Sequence, residues 1–166
     1  MPESTKLRIK TPLYLAVMLG MLAFSCKEEI KFPDEPTIKL VSAVTSVEQN
    51  QLGTDVNRTV LTFSFTDGDG DIGLSEVQTA APFDFNLFVI RIAIKDGVDQ
   101  NPELLKFRIP VLKPSAGNTG IQGELDVQLD VISITFPEDS LRYELYLLDR
   151  ALNSSNIIST STISLQ

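Results

Sequence analysis

The stretch TVLTFSFTDGDGDIG, residues 59–73, carries two readings at once. Its first half alternates, with Leu61, Phe63 and Phe65 on one side and Val60, Thr62 and Ser64 on the other. A repeat of two is the pattern of a β-strand with one face in a core and the other toward water. Its second half sets Asp67, Asp69 and Asp71 at alternate positions, with Gly68 and Gly70 between them. Like charges about 5 Å apart in water cost roughly 0.8 kcal/mol per pair, and more against protein, so the turn needs compensation. A divalent cation would supply it. Calcium takes six to eight oxygens at flexible geometry, and glycine permits the bends by which alternate carboxylates wrap an ion. The alternative is an Asp-Gly turn whose carboxylates cap backbone amides and face solvent.

Outward from this stretch the same period recurs. TIKLVSAV at 37–44 alternates Ile38 and Leu40, then Ser42 and Val44. FNLFVIRIAIK at 85–95 puts Phe88, Ile90, Ile92 and Ile94 on one face and Leu87, Val89, Arg91 and Lys95 on the other, then reaches the turn dipeptide Asp96-Gly97. LLKFRIPVL at 104–112 holds Pro110, which cannot donate to a ladder and so favours an edge. ELDVQLDVISITF, LRYELYLL and NIISTSTISL complete a series of about seven strands. No long segment after residue 26 shows a helical stripe. An all-β fold follows, a single antiparallel β-sandwich over residues 37–166, with a barrel as its rival.

Composition narrows the chemistry. The chain has no histidine, no tryptophan and one cysteine, which excludes a histidine triad, a histidine metal site and an internal disulfide. A formal charge of −8, with no basic cluster beyond residue 10, argues against nucleic acid as a partner.

The N-terminus reads as an address. Lys6, Arg8 and Lys10 precede the apolar run LYLAVMLGMLAF from Leu13 to Phe24, and small Ser25 precedes Cys26. A helix of that length spans about 18 Å against a hydrocarbon core of roughly 30 Å, which suits a secretory signal over a membrane span. AFSC resembles the lipobox of bacterial lipoproteins, with Ala23 where leucine is commoner. The resemblance implies a signal peptide at 1–25 and a diacylglyceryl group on Cys26. Lys27, Glu28 and Glu29 resemble the export signal of Bacteroidota lipoproteins carried to the outer face of the outer membrane; as plain residues they are a solvated tether. Residues 26–36 are then a lipidated flexible spacer, and the mature chain carries 11 basic and 21 acidic side chains. Taken together, the lipobox, the acidic tether, FTDGDGDIG, FRIPVL and DRALNSSNIISTSTISL look like a group of small Bacteroidota surface lipoproteins. That likeness implies a lipid-anchored, surface-exposed protein and names no ligand.

LRYELYLLDRALNSSN resembles the penultimate strand and following loop of fibronectin type III domains, within the wider immunoglobulin-like class. The resemblance puts Tyr143 in the hydrogen-bonding corner role, the alternative being one more core aromatic. If residues 59–65 and 141–148 are the second and penultimate strands of such a sandwich, the loops after them leave at the same pole. Asp149, with Asn153 or Asn156, would then join Asp67, Asp69 and Asp71 around Ca2+. The Asp stretch also resembles the first half of an EF-hand loop, but Ile72 stands where glycine is expected, Gln78 where the bidentate glutamate belongs, and no helices flank it.

The expected activity is non-catalytic, a cell-surface binding or adhesion module with a protein or glycan partner. The alternatives are a structural subunit of an outer-membrane complex and a carboxylate-dependent hydrolase. Glu124, Asp126 and Asp130 alternate along one strand, and polar alternation on a solvated sheet face accounts for them. DSL at 139–141 resembles a short acceptor motif for O-linked glycans, which would make Ser140 an attachment point.

Overall fold

The alternation of residues 59–65 belongs to a thirteen-residue strand, β2 (Asp55–Asp67), paired antiparallel with β1 (Thr37–Gln49) on one side and β6 (Ile121–Ile132) on the other. A computed structural model describes residues 31–114, 119–132, 136 and 138–165. The second sheet is built on β3 (Leu87–Lys95) and β7 (Ser140–Leu147). On the far side of β3 lie β4 (Val98–Asp99) and β5 (Glu103–Phe107); on the far side of β7 lie β8 (Ile158–Ser159) and β9 (Ile163–Ser164). Every strand pairing is antiparallel, and no helix occurs among the described residues.

The core lies between the two sheets. Leu61, Phe63 and Phe65 of β2 and Val127, Leu129 and Val131 of β6 meet Leu87 and Val89 of β3 and Leu141, Tyr143, Leu145 and Leu147 of β7. The fold is therefore all-β and sandwich-like, as the alternation predicts.

The strand count differs, nine among the described residues against the expected seven or so. The C-terminal segment divides because side chains replace main chain in its ladder. Tyr143 N–H donates to Thr160 Oγ1 (3.0 Å) and Leu147 N–H to Ser155 Oγ (3.0 Å), while Thr160 and Ser155 amides return to the Tyr143 and Leu147 carbonyls. The extra β4 follows from Asp96-Gly97, both at positive φ (50° and 75°), a two-residue turn that folds the chain straight back on β3.

On β3 the two faces divide against intuition. Leu87, Val89, Arg91 and Ala93 stand opposite the buried Leu147, Leu145, Tyr143 and Leu141, so the isoleucine-rich face is the outer one. There Phe88 stacks on Tyr146 with centroids 5.0 Å apart. Arg142, opposite Ile92, forks onto Asp99, opposite Ile94 (2.5 and 2.7 Å), and the ion pair spans both isoleucines, which are only 8% exposed.

Tyr143 is in the middle of β7 and buried. Its hydroxyl lies beside Thr59 and Arg91 and makes no hydrogen bond of good geometry among the described residues, so it does not form the expected backbone corner. The alternative, a core aromatic, is the one realised.

Two further features position the candidate site. The chain before β1 lies on the body of the domain, with the carbonyls of Phe32 and Pro33 against Gly68. Residues 68–86, between β2 and β3, are fastened by Arg108, whose guanidinium donates to the carbonyls of Ser75, Gln78 (2.7 Å), Phe83 (3.2 Å) and Asp84 (3.3 Å). One side chain thus satisfies main-chain acceptors that no ladder reaches.

Candidate metal centre

Asp67 continues the inward series of β2. Leu61, Phe63 and Phe65 face the core, and the next residue at that spacing is an aspartate with no exposed surface. One of its oxygens, Oδ2, accepts from the Asp71 amide at 2.8 Å. The other, Oδ1, is buried and meets no donor among the described residues.

The glycines lie where other backbone passes. Gly68 N–H donates to the Pro33 carbonyl (2.7 Å), and a Cβ there would lie 2.3 Å from the Phe32 carbonyl oxygen. Gly70 has φ +72°, and its Cβ would fall 2.3 Å from the Thr119 carbonyl oxygen. The loop is thereby enclosed by the segment before β1 and by the approach to β6. Phe32 and Pro33, near the end of the expected spacer, take part in this enclosure.

The second loop arrives at the same pole, as the strand assignment requires. Ile72 bridges to Asp149. Asp71 accepts the amides of Arg150 (3.3 Å) and Ala151 (3.0 Å) on its two carboxylate oxygens. Asp149 is buried and accepts from Asn153, the amide on Oδ1 (2.7 Å) and the side-chain nitrogen on Oδ2 (2.8 Å). Asn153 therefore fastens Asp149. Asn156 is elsewhere, clamped on the Ile38 amide and carbonyl at 2.9 Å each.

Asp67, Asp69 and Asp71 each bring one carboxylate oxygen within 4.8 Å of the others. Two oxygens about 2.4 Å from an ion, on opposite sides of it, are about 4.8 Å apart, so these three can share one cation. Asp149 is close enough for its charge to act on Asp67 and Asp71, but it is not one of the three converging groups. Burial pushes the Asp67 carboxyl up to about 6, opposed by the Asp71 amide and reinforced by the charges of Asp69, Asp71 and Asp149. Burial also raises Asp71, followed by the charges of Asp149 and Asp69, against the amide and charge of Arg150. A buried carboxylate held at this cost is compensated either by a proton or by a cation.

This gives a pH dependence for the chain in chelator. Asp67 has a folded pKa above its unfolded 3.8, so its stabilising protonation is complete below 3.8 and lost as pH rises through about 6. Melting at pH 5 should exceed that at pH 7 by on the order of 1 kcal/mol of stability, after allowance for solvent beside Asp69. Asp99 and Asp130, lowered by their arginines, lose their contribution only below this window. A melting temperature that rises from pH 5 to pH 7 would contradict the assignment.

The other acids are accounted for differently. Asp130 is forked onto Arg58 at 2.8 Å on both oxygens, and that bond lowers its pKa, the reverse of a general acid. Asp126 accepts from the Thr62 hydroxyl (2.7 Å). Ser140 opens β7 between Ile94 and Ser164, with its hydroxyl on Asp139 (3.1 Å). Cys26, Lys27, Glu28 and Glu29 lie outside the described residues.

No protein-family model matches the chain, and no curated protein or solved structure is significantly similar to it.

Proposed function

We propose that this is a lipid-anchored protein of the bacterial outer surface, a non-catalytic binding or adhesion module on an immunoglobulin-like or fibronectin III-like sandwich, with calcium held by Asp67, Asp69 and Asp71. The observation that carries the calcium reading is the buried Asp67 Oδ1, which meets no donor among the described residues, beside two further carboxylates. An ion would satisfy that oxygen and offset the repulsion together. Strand order supports the sandwich family: β1, β2 and β6 in one sheet, and β4, β3, β7 and β8 in the other.

The anchor rests on the sequence alone, on the apolar run ending at Cys26 and on Lys27, Glu28 and Glu29. Cys26→Ser removes the thiol that would carry the lipid. The variant should move from the membrane fraction to the soluble fraction, read by fractionation of cells; retention in the membrane would sink the lipoprotein reading and leave the calcium reading standing.

A second reading, a subunit of an outer-membrane complex, is favoured by one feature. The outer face of the larger sheet carries the stacked Phe88 and Tyr146, half-buried Ile90, and Leu104 and Ile157 at 48% and 61% exposure. Apolar side chains grouped on a sheet face mark a surface for a protein neighbour. Affinity capture of the tagged protein from its own membrane distinguishes the two, with a stoichiometric membrane partner supporting the second.

A further inference from the structure

We propose that β1 is a self-association edge, where two copies of this chain pair antiparallel about a two-fold axis through Val44 and join their three-stranded sheets into one. β1 is thirteen residues long and pairs only with β2 among the described strands. Its outward main chain is closed at Ile38 by Asn156; from Leu40 onward no such clamp follows among the described residues. An open edge of this length is normally guarded by charge, proline or brevity. From Leu40 to Val47 there is neither charge nor proline, whereas the opposite edge, β6, carries Glu124, Asp126 and Asp130. Val41, Val44 and Val47 are 50%, 62% and 47% exposed.

What identifies the occupant as a second copy is the pattern itself. VSAVTSV, residues 41–47, reads almost the same in reverse around Val44. Lys39, Ser42, Val44, Ser46 and Glu48 share the outer face, opposite Ser64, Thr62, Val60, Arg58 and Val56 of β2. Two-fold antiparallel pairing sets Val44 against Val44 and Ser42 against Ser46. The irregularity between Leu40 and Ser42 takes up one residue, and with that residue absorbed Lys39 of each copy falls opposite Glu48 of the other. Glu48 is already fixed in place by Arg58 at 2.7 Å. The ladder is self-complementary in shape and in charge, as an isologous contact must be.

The full chain tests this by cross-linking in its own membrane. Val44→Cys places two thiols across the axis, and a short bis-maleimide should convert it to a species of twice the mass. Leu52→Cys, 89% exposed at the turn after β1, should remain monomeric, as should the parent chain with Cys26 alone. Adding Lys39→Glu sets like charges opposite each other at both ends and should lower the cross-linked yield roughly tenfold. Yield no greater than for Leu52→Cys overturns the proposal. So does cross-linking of Val44→Cys to a protein of another mass, and yield indifferent to Lys39→Glu overturns the register.

Discussion

Purified in about 2 mM calcium, the chain should melt about 5 °C higher than in chelator. The figure follows from linkage. An ion that binds only the folded chain with a dissociation constant near 0.1 mM adds roughly 1.8 kcal/mol at that concentration, and such affinities are usual for sites outside cells. Magnesium should substitute poorly, since it demands tighter octahedral geometry and gives up its water reluctantly. Two variants separate the roles of the carboxylates. Asp69→Asn takes a charge from the exposed member of the three and should abolish most of the shift with little effect in chelator. Asp67→Asn should raise the melting temperature in chelator, because it keeps an oxygen for the Asp71 amide and relieves a buried charge. It should also erase the response to calcium. Coincident wild-type curves would mean that the aspartates form only a turn, in which case Asp67 is compensated by a proton below about pH 6.

Gly73→Ala should cost on the order of 2–4 kcal/mol. Gly73 has φ +98°, and a Cβ would stand 2.2 Å from the Pro110 carbonyl oxygen and 2.7 Å from the Val111 Cα. Neither neighbour can give way alone, because residues 109–112 run in register with the Asp loop: Leu74 N–H donates to the Ile109 carbonyl (2.9 Å) and Leu112 N–H to the Ile72 carbonyl (3.4 Å). Gly53 is the matched control. It too has positive φ, +74°, but nothing lies within 4 Å of its Cβ position. Gly53→Ala therefore carries backbone strain alone, about 1 kcal/mol. The difference between the two variants in a denaturant midpoint measures the close approach itself; equal losses would show that the segment at Pro110 and Val111 yields.

Period two was legible throughout, since a strand between a core and water must alternate whatever its neighbours are. Leu61, Phe63 and Phe65 are buried as their spacing demands. The same arithmetic carried one step further places Asp67 inward, and that was the readable sign of an unusual carboxylate. The Asp-Gly turn after β3 was equally local. On β3 alternation separates two faces and says nothing of which is inside. The choice fell to the pairing with β7, which set Leu87 and Val89 against leucines and left Ile92 and Ile94 to be covered by Arg142 and Asp99.

The sequence by itself determined the class of fold and the acidic turn, because alternation and Asp-Gly chemistry act between residues a few positions apart. Only the tertiary structure decided which groups meet there. Asp149 spends its oxygens on Asn153, Asn156 leaves the pole for Ile38, and Pro33 supplies the acceptor for Gly68 from 35 residues away. The glycines of the motif owe their places to passing backbone at Phe32, Thr119 and Pro110. Those neighbours are brought together by packing of two sheets, a free energy summed over the core that no seven-residue stretch contains.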